Sequence, residues 1–262
     1  MRDLHDINKI LQTRFDKVLV VTVPRFKDRQ EKVKQRLHGI SFEFFYGADK
    51  QDFTEEFIRT NYHYNKKNTL APGYYFPPLN EGEIACSLSH RMVYQAMIDN
   101  DWQHVLILED DVVPDHQQLA VLDECLKELP AEWELFYLGY LKNNRPGAGK
   151  KLQQLWYSIV AGLGMSRITL KMTRNLLPRP FSTHLWKAGF HDCTHAYAVS
   201  LSAAKKLLAA QTPVAHRADN LLSSVVLKGE LKAFAVKKYM FNQEVFTDNT
   251  DKSTIREKWA NQ

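Results

Sequence analysis

An apolar run that leads straight into three acids constrains this chain more than any other feature. Residues 105–116 have the sequence VLILEDDVVPDH, in which four aliphatic residues precede Glu109, Asp110 and Asp111. Adjacent carboxylates repel one another, and burying them without partners is costly. The stretch therefore predicts either a solvated acidic turn after a strand or a cation site at the end of a strand.

The pattern around these acids favours an α/β fold. A strand at 17–24 (KVLVVTVP), a charged helix at 27–37 and a strand at 41–47 form one β-α-β unit, and such units build parallel sheets. A helix is predicted after the acids (QQLAVLDECLKEL), followed by a strand at 133–140. Residues 195–210 are typical of a strand that turns into a helix, with Ser200 or Ser202 as its N-cap. Strands this apolar occur in sheets covered on both faces. Ligands of such sheets bind beyond the carboxyl ends of strands, where the three acids stand.

Composition excludes several classes of protein. The 262 residues are 44% hydrophobic and 25% charged, as in ordinary globular proteins. No apolar run approaches the ~18 residues of a spanning helix, and the first residues lack the apolar core of a secretion signal. Three scattered cysteines predict buried apolar side chains rather than disulfides or a thiolate zinc site. We therefore expect one cytoplasmic domain. Residues 60–80 predict a long loop, either functional or packed as a small aromatic core.

A helix before the acidic strand carries a second set of polar residues. Asn80 and Glu83 form the pattern of a capping box, so we expect the helix to begin there. The predicted buried stripe recurs every four residues: Ile84, Leu88, Met92 and Ala96. Glu83, Ser87 and His90 share another face near the start of the helix. A surface ion pair and a contribution to a site both remain open for them.

Spacing and charge indicate a ligand that carries phosphate. In an extended chain Glu109 and Asp111 project to one side and Asp110 to the other. Two carboxylates on one side suit Mg²⁺ or Mn²⁺, ions that usually also hold phosphates. Arg25 and Arg29 follow the first strand and could meet a phosphate or a base. Neither GxGxxG nor GxxxxGK[ST] is present. The residues therefore predict metal-assisted chemistry on a phosphate-bearing ligand.

Several sequence blocks, in this order, resemble glycosyltransferase family 25: PRFKDR, GISFEFFYGAD, EGEIACSLSHRMVYQ, VLILEDDVVP, THAYAVSLSAAKKLL and a near-terminal KSTI. The family includes bacterial lipopolysaccharide galactosyltransferases and collagen galactosyltransferases. The resemblance covers about residues 17–140 and 194–255. One departure is Thr22-Val23, where the family commonly has Asn-Leu at the end of the first strand.

The resemblance implies a nucleotide-sugar transferase (GT-A-like) fold with a Rossmann-type, mostly parallel sheet. It implies inverting transfer, most often of galactose, from a UDP-sugar to a saccharide acceptor such as a lipopolysaccharide or lipooligosaccharide core, with Mn²⁺ or Mg²⁺. The metal ligands would be Glu109 and Asp111. The implied donor-binding residues are Arg25, Asp28, Arg29, Ser89, His90 and Asp110. The single domain, 1–262, would comprise a donor-binding half (15–140), a basic insertion or flap (141–193) and an acceptor-side half with a tail (194–262).

An inverting transfer also needs a base that takes the proton of the acceptor hydroxyl. Asp219, in the stretch PVAHRADNLL, is the first candidate, with Glu83 and Asp192 as alternatives. Asp219 could instead be an acid at the beginning of a helix without a catalytic role.

Positive charge is concentrated in residues 141–193. This segment has nine Lys or Arg and one acid, Asp192, hence a charge of +8 in a chain whose net charge is +5. It also contains the apolar stretch LWYSIVAGLGM at 155–165. Peripheral contact with the anionic inner face of a membrane, close to a lipid-linked acceptor, is one prediction. A cationic lid over the donor diphosphate is the other.

Two other functions compete with sugar transfer. A metal-dependent phosphoesterase also places acids at strand ends, but the ten histidines show no ligand spacing. A non-catalytic protein that binds carbohydrate or a membrane surface would have no need of the intact acid triplet. Nucleic-acid binding is not expected, because the basic segment lacks a recognised module.

Overall fold

The computed structural model of the protein describes residues 4–65 and 77–244. The strands are β1 (Lys17–Thr22), β2 (Glu43–Tyr46), β3 (His104–Glu109), β4 (Val112–Pro114), β5 (Leu135–Leu141), β6 (Arg179–Pro180), β7 (Leu185–Lys187), β8 (Asp192–Ser200), β9 (Ala233–Val236) and β10 (Phe241–Gln243). The helices are α1 (Leu4–Arg14), α2 (Lys27–Arg36), α3 (Glu55–Asn61), α4 (Glu81–Asp99), α5 (His116–Leu119), α6 (Leu122–Glu128), α7 (Ala148–Gly162), α8 (Leu170–Arg174), α9 (Leu201–Ala210) and α10 (Ala218–Lys228), with a 3-10 turn at Lys50–Asp52. Within this described part, no helix is both long and apolar enough to cross a bilayer.

Eight strands form one central sheet in the order β2-β1-β3-β8-β5-β9-β7-β6. The pairs β1–β2, β1–β3 and β5–β9 are parallel, whereas β8 and β7 are antiparallel to their neighbours. Six of the eight strands therefore point the same way. The predicted α/β class, the mostly parallel sheet and the first β-α-β unit are confirmed.

The reversed strand β8 determines which residues meet at the edge of the sheet where β3 ends. His104 at the start of β3 pairs with Ser200 at the end of β8, and Leu108 pairs with Ala196. The first residues of β8, Asp192 and Cys193, consequently lie near the carboxyl end of β3. Acids from the two halves of the sequence thus come to one edge.

Local signals place most helix ends correctly. The capping box is present, since the Asn80 side chain accepts from the Glu83 amide and the Glu83 side chain accepts from the Asn80 amide. Ser200 caps α9 by accepting from the amide of Ala203. It is one of the two serines predicted as the N-cap. The helix expected after the acids is divided into α5 and α6, and neither α1 nor β10 was predicted. Residues 66–76 of the predicted loop and the stretch with KSTI lie outside the described residues.

The buried stripe predicted for α4 is correct only in its first half. Ile84 and Leu88 are buried, but Met92 is 40% exposed and the core side of the helix passes to Val93 and Met97. A helix has 3.6 residues per turn, so positions four apart drift by about 40° at each step. A repeat of exactly four therefore leaves the core after two turns.

Residues 141–193 are partly built into the sheet. Strands β6 and β7 extend it beyond β9, while α7 and α8 lie outside the strands. The segment is therefore not a flap over its whole length. The division of the chain into a donor-binding and an acceptor-side half stays a prediction.

Gly139 in β5 permits close packing against His195 and Phe241. A Cβ on Gly139 would stand 2.4 Å from His195 Nε2 and 2.6 Å from the Phe241 carbonyl oxygen, two atoms that are themselves 2.8 Å apart and hydrogen-bonded. We expect Gly139→Ala to lower the free energy of unfolding by about 1–3 kcal/mol, the usual effect of overpacking. Urea unfolding measures this. Gly149→Ala in α7, whose Cβ would meet no atom within 4 Å, is the control. Equal destabilisation of both variants would contradict the packing argument.

Candidate active site

The three acids lie where β3 turns into β4. Glu109 is the last residue of β3, and Asp110 and Asp111 form the turn. Arg29 Nη2 is 2.9 Å from Asp110 Oδ1 and 3.6 Å from Asp111 Oδ2. The predicted alternation of side chains does not hold for these two aspartates, because the chain turns here and one guanidinium reaches both.

Negative charge exceeds positive charge in this cluster. Burial and then the charges of Asp111 and Asp110 raise the pKa of Glu109 well above its ordinary value. Burial also raises the pKa of both aspartates, against the opposing effect of Arg29. Asp111 Oδ1 is buried and has no hydrogen-bond partner among the described residues. A hard divalent cation would supply the missing charge, and the all-oxygen donor set suits Mg²⁺ or Mn²⁺.

Hydrogen bonds from two neighbouring strands hold the acids in place. Thr22 Oγ1, at the end of β1, donates to Asp110 Oδ2 at 2.6 Å. Gln243 Nε2 in β10 donates to Glu109 Oε2 at 3.2 Å. Sequence reasoning did not assign either contact. The position of Thr22 at the carboxyl end of β1, the strand beside β3, could have predicted its contact with the acids. Nothing in the local sequence distinguished Gln243.

Behind Glu109 is a buried hydrogen-bond chain. His90 Nε2 lies 3.8 Å from Glu109 Oε1, and His90 Nδ1 is hydrogen-bonded to the Tyr197 hydroxyl at 2.7 Å. The Tyr197 and Tyr94 hydroxyls are 2.8 Å apart. Burial lowers the pKa of His90 to about 4, so its imidazole is neutral at pH 7. His90 therefore lies beside Glu109 as a neutral ring and not as its ion-pair partner.

Cys86 adds a sulfur atom to this corner. Ligand atoms of Cys86, His90 and Glu109 all lie within 4.8 Å of one another. Burial raises the pKa of the Cys86 thiol well above its usual range, so it is protonated at neutral pH. The mixed sulfur, nitrogen and oxygen set is one that softer ions such as Zn²⁺ favour. Glu109 belongs both to this set and to the acid triplet.

Of the three residues predicted after the first strand, the structure brings one to the acids. Arg29, in the first turn of α2, contacts Asp110 and Asp111. Arg25 instead pairs with Asp49 through its Nε and lies over the ring of Phe26, 4.4 Å from the centroid. Asp28 is exposed. Donor contacts by Arg25 and Asp28 stay predictions.

Ser89 and Glu83 are engaged in holding α4 against its neighbours. The Ser89 hydroxyl donates to the Ala85 carbonyl at 2.7 Å and accepts from the Ala48 amide at 3.0 Å. Glu83 Oε2 accepts from the Asn80 amide at 3.0 Å, and Oε1 is 2.7 Å from Arg217 Nη2. Because both Glu83 oxygens have partners, its contacts favour a positioning role, and its predicted catalytic role is untested.

Asp219 is a partly buried carboxylate at the start of α10. Its Oδ2 accepts from the Cys193 amide at 3.0 Å and its Oδ1 from the Asn220 amide at 2.8 Å. Burial, and then the charge of Asp192, raises the pKa of Asp219. Asp219 is also among the charges that raise the pKa of Glu109. The structure therefore brings this predicted base to the edge of the sheet that holds the acid triplet.

The backbone beside Asp219 is strained. Lys142, Asn143 and Cys193 have positive φ angles of 58°, 55° and 48°, which are unfavourable for residues other than glycine. An ion pair between Lys142 and Asp192 ties the two strands together here. Such strain commonly accumulates at functional sites.

A small cleft lies at the start of α10. It is lined by aromatic, apolar and polar side chains, among them Tyr62, Tyr64, Leu79, His216, Arg217 and Asn220. Asn220 Oδ1 is buried and lacks a hydrogen-bond partner among the described residues. The cleft thus offers aromatic faces and a polar group next to Asp219.

The family follows from comparison with known sequences. The profile of "Glycosyltransferase family 25 (LPS biosynthesis protein)" matches residues 15–222, a range that contains every site residue predicted above. The chain belongs to glycosyltransferase family 25.

The relatives of this family 25 chain are longer proteins. It is 27% identical over 205 residues to procollagen galactosyltransferase 2 of Mus musculus, an alignment that covers 75% of this chain and 28% of that protein. It is 29% identical over 206 residues to the probable inactive glycosyltransferase 25 family member 3 of Bos taurus, covering 75% and 29%. The chain thus spans less than a third of the length of these relatives. A solved glycosyltransferase involved in glycosylation of the major capsid of PBCV-1 aligns with a TM-score of 0.40 and 10% identity over 86% of this chain and 91% of that one.

Removing one acid should weaken metal binding without harming the fold. We expect saturating Mn²⁺ to raise the melting temperature, since a ligand at a hundred times its Kd stabilises the native state by about 2.7 kcal/mol. Asp111→Asn should abolish most of this rise. Without metal, its melting temperature should equal or exceed that of the unmodified protein, because the substitution relieves charge repulsion.

Differential scanning calorimetry with and without Mn²⁺ measures both quantities. The exposed Asp52 provides the matched control, and Asp52→Asn should keep the full rise. An undiminished rise in Asp111→Asn would exclude Asp111 as a metal ligand.

Proposed function

We propose that this chain is an inverting, metal-dependent hexosyltransferase that moves galactose from UDP-galactose to a saccharide acceptor. The observation that carries the proposal is the cluster of Glu109, Asp110 and Asp111, which has Arg29 as its neighbouring cation and an unpartnered buried oxygen on Asp111. Membership of glycosyltransferase family 25 supports sugar transfer. Relatives named procollagen galactosyltransferase support galactose.

In this proposal Glu109 and Asp111 hold Mn²⁺ or Mg²⁺. The bound ion would stabilise negative charge on the diphosphate of the leaving UDP. Asp110 is held by Thr22 and Arg29, so it fixes the turn that presents its two neighbours. Arg29 provides a permanent positive charge at the same edge, where it can also meet a phosphate.

Asp219 is the proposed base. It takes the proton of the acceptor hydroxyl while that oxygen bonds to the anomeric carbon and the bond to the UDP oxygen breaks on the opposite face, which inverts the carbon. Burial raises the pKa of Asp219, and a higher pKa makes a carboxylate a stronger base. The Cys193 and Asn220 amides orient it.

Replacing the base should separate transfer from donor binding. We expect Asp219→Asn to reduce the transfer rate by about a hundredfold or more, as is typical for loss of a general base, with an unchanged affinity for UDP by calorimetry. Asp192→Asn is the comparison variant, since Asp192 is paired with Lys142. If Asp219→Asn transferred sugar at the normal rate, Asp192 and Glu83 would become the candidates.

We also propose that the acceptor is a lipid-linked saccharide, such as a lipopolysaccharide or lipooligosaccharide core. The reaction would then take place in the cytoplasm at the inner face of a membrane. The basic charge of residues 141–193 supports this location, because anionic lipid surfaces attract Lys and Arg.

A donor screen tests the reaction class. UDP-sugars are incubated with a soluble core oligosaccharide in Mn²⁺, Mg²⁺ or EDTA, and UDP, transferred sugar and inorganic phosphate are measured separately. We expect UDP and transferred galactose in equal amounts with metal and neither in EDTA. Phosphate release without sugar transfer would identify a phosphoesterase. Donor binding without turnover would indicate a protein without transferase activity, as the names of two relatives describe them.

A further inference from the structure

Helix α7 carries an exposed apolar face. Five large apolar side chains recur at intervals of three or four positions and share one side of the helix and its end: Leu152, Leu155, Trp156, Ile159 and Leu163. Between 48% and 69% of each side chain is exposed. These five residues are the apolar face of α7. Contiguous exposed apolar surface of this kind marks a binding surface on a folded protein.

The polar side of the same helix faces the protein. Gln154 Nε2 donates to the Thr173 carbonyl oxygen at 2.7 Å, and Ser158 Oγ donates to Thr173 Oγ1 at 3.1 Å. A surface helix normally buries its apolar side and exposes its polar side. The orientation of α7 is the reverse, and none of the residues that the structure describes covers its apolar face.

Charge indicates what covers that face. From 148 to 167 the sequence has Lys150, Lys151 and Arg167 and no acid, so the ends of the apolar face are positive. Trp156 and the adjacent Tyr157 are residues that favour the boundary between hydrocarbon and water. An apolar face with cations at its ends fits the boundary between acyl chains and anionic headgroups.

We propose that α7 is an in-plane membrane anchor whose apolar face inserts into the headgroup region of an anionic phospholipid bilayer. Its 15 residues correspond to about 22 Å, which suits a helix that lies in the surface. The contacts of α7 with α8 and with Asn143 hold it beside the sheet, so the lid over the diphosphate is the less favoured of the two predictions.

The anchor is connected to the edge of the sheet that holds Asp219. Lys150 Nζ donates to Asn143 Oδ1 at 2.5 Å, Lys142 pairs with Asp192, and the Cys193 amide donates to Asp219. A docked α7 would therefore bring this edge close to the bilayer, where a lipid-linked acceptor is presented. This consequence rests on the proposed function, but membrane binding does not.

Vesicle sedimentation tests the anchor with vesicles of phosphatidylcholine alone or with 30% phosphatidylglycerol, a composition in the range of anionic membranes. The unmodified chain should bind the anionic vesicles and not the neutral ones, and should bind less as salt rises. Leu155→Ser/Trp156→Ser should reduce the partition coefficient at least tenfold, since both residues are exposed and their loss does not disturb the core. Lys150→Gln and Lys151→Gln should each reduce it about fivefold.

Phe181→Ser is the matched control, because Phe181 is an exposed apolar residue outside the apolar face of α7. It should bind like the unmodified chain, and far-ultraviolet circular dichroism should show the same fold for all variants. Absence of binding at low salt, or equal binding by Leu155→Ser/Trp156→Ser, would overturn the proposal. So would a dimer in solution that this double variant dissociates, because a second copy would then cover the face.

Activity on two forms of acceptor separates the anchor from the catalytic proposal. The double variant should transfer sugar to a soluble core oligosaccharide at the normal rate and to the same saccharide on vesicle-bound lipid at least tenfold more slowly. Vesicle binding without any transfer by the unmodified chain would leave the anchor standing and reject the proposed function. Equal loss on both acceptors would reject the coupling of the anchor to catalysis.

Discussion

Excess negative charge at the end of β3 is the constraint on which the rest of the site depends. Three carboxylates follow one another at a partly buried strand end, with Arg29 as the cation in contact with two of them. The neighbouring elements each supply one polar residue beside the acids: Thr22 from β1, Arg29 from α2, His90 from α4 and Gln243 from β10. Because desolvated charge is costly, this arrangement is stable only with such support, and it favours a bound divalent cation.

The reversed direction of β8 gives this charged edge its second component. A parallel strand at that place would carry Asp192 and Cys193 to the opposite edge of the sheet. The antiparallel pairing of β8 with β3 and β5 instead sets them beside the acids, and the Cys193 amide then orients Asp219. One edge thus combines the proposed cation site with the proposed base, the two components that an inverting transfer requires.

The polar face of α4 shows how one sequence motif can divide into different roles. Glu83, Ser87 and His90 are all buried, yet Glu83 and His90 do not pair with each other. Glu83 joins the helix start to Arg217 ahead of α10, whereas His90 joins Glu109 to Tyr197. The same helix therefore positions both the acid triplet and the segment that carries Asp219.

The sequence by itself determined many of the elements, the family resemblance and the acid triplet. Capping boxes, β-branched runs and strand-helix alternation depend on residues a few positions apart, which is why the start of α4, the cap at Ser200 and the first β-α-β unit were predictable. Only the tertiary structure decided that Thr22 binds Asp110 and Gln243 binds Glu109, pairs 88 and 134 positions apart. It also decided the direction of β8 and the outward apolar face of α7, since strand order and helix orientation depend on packing between distant segments.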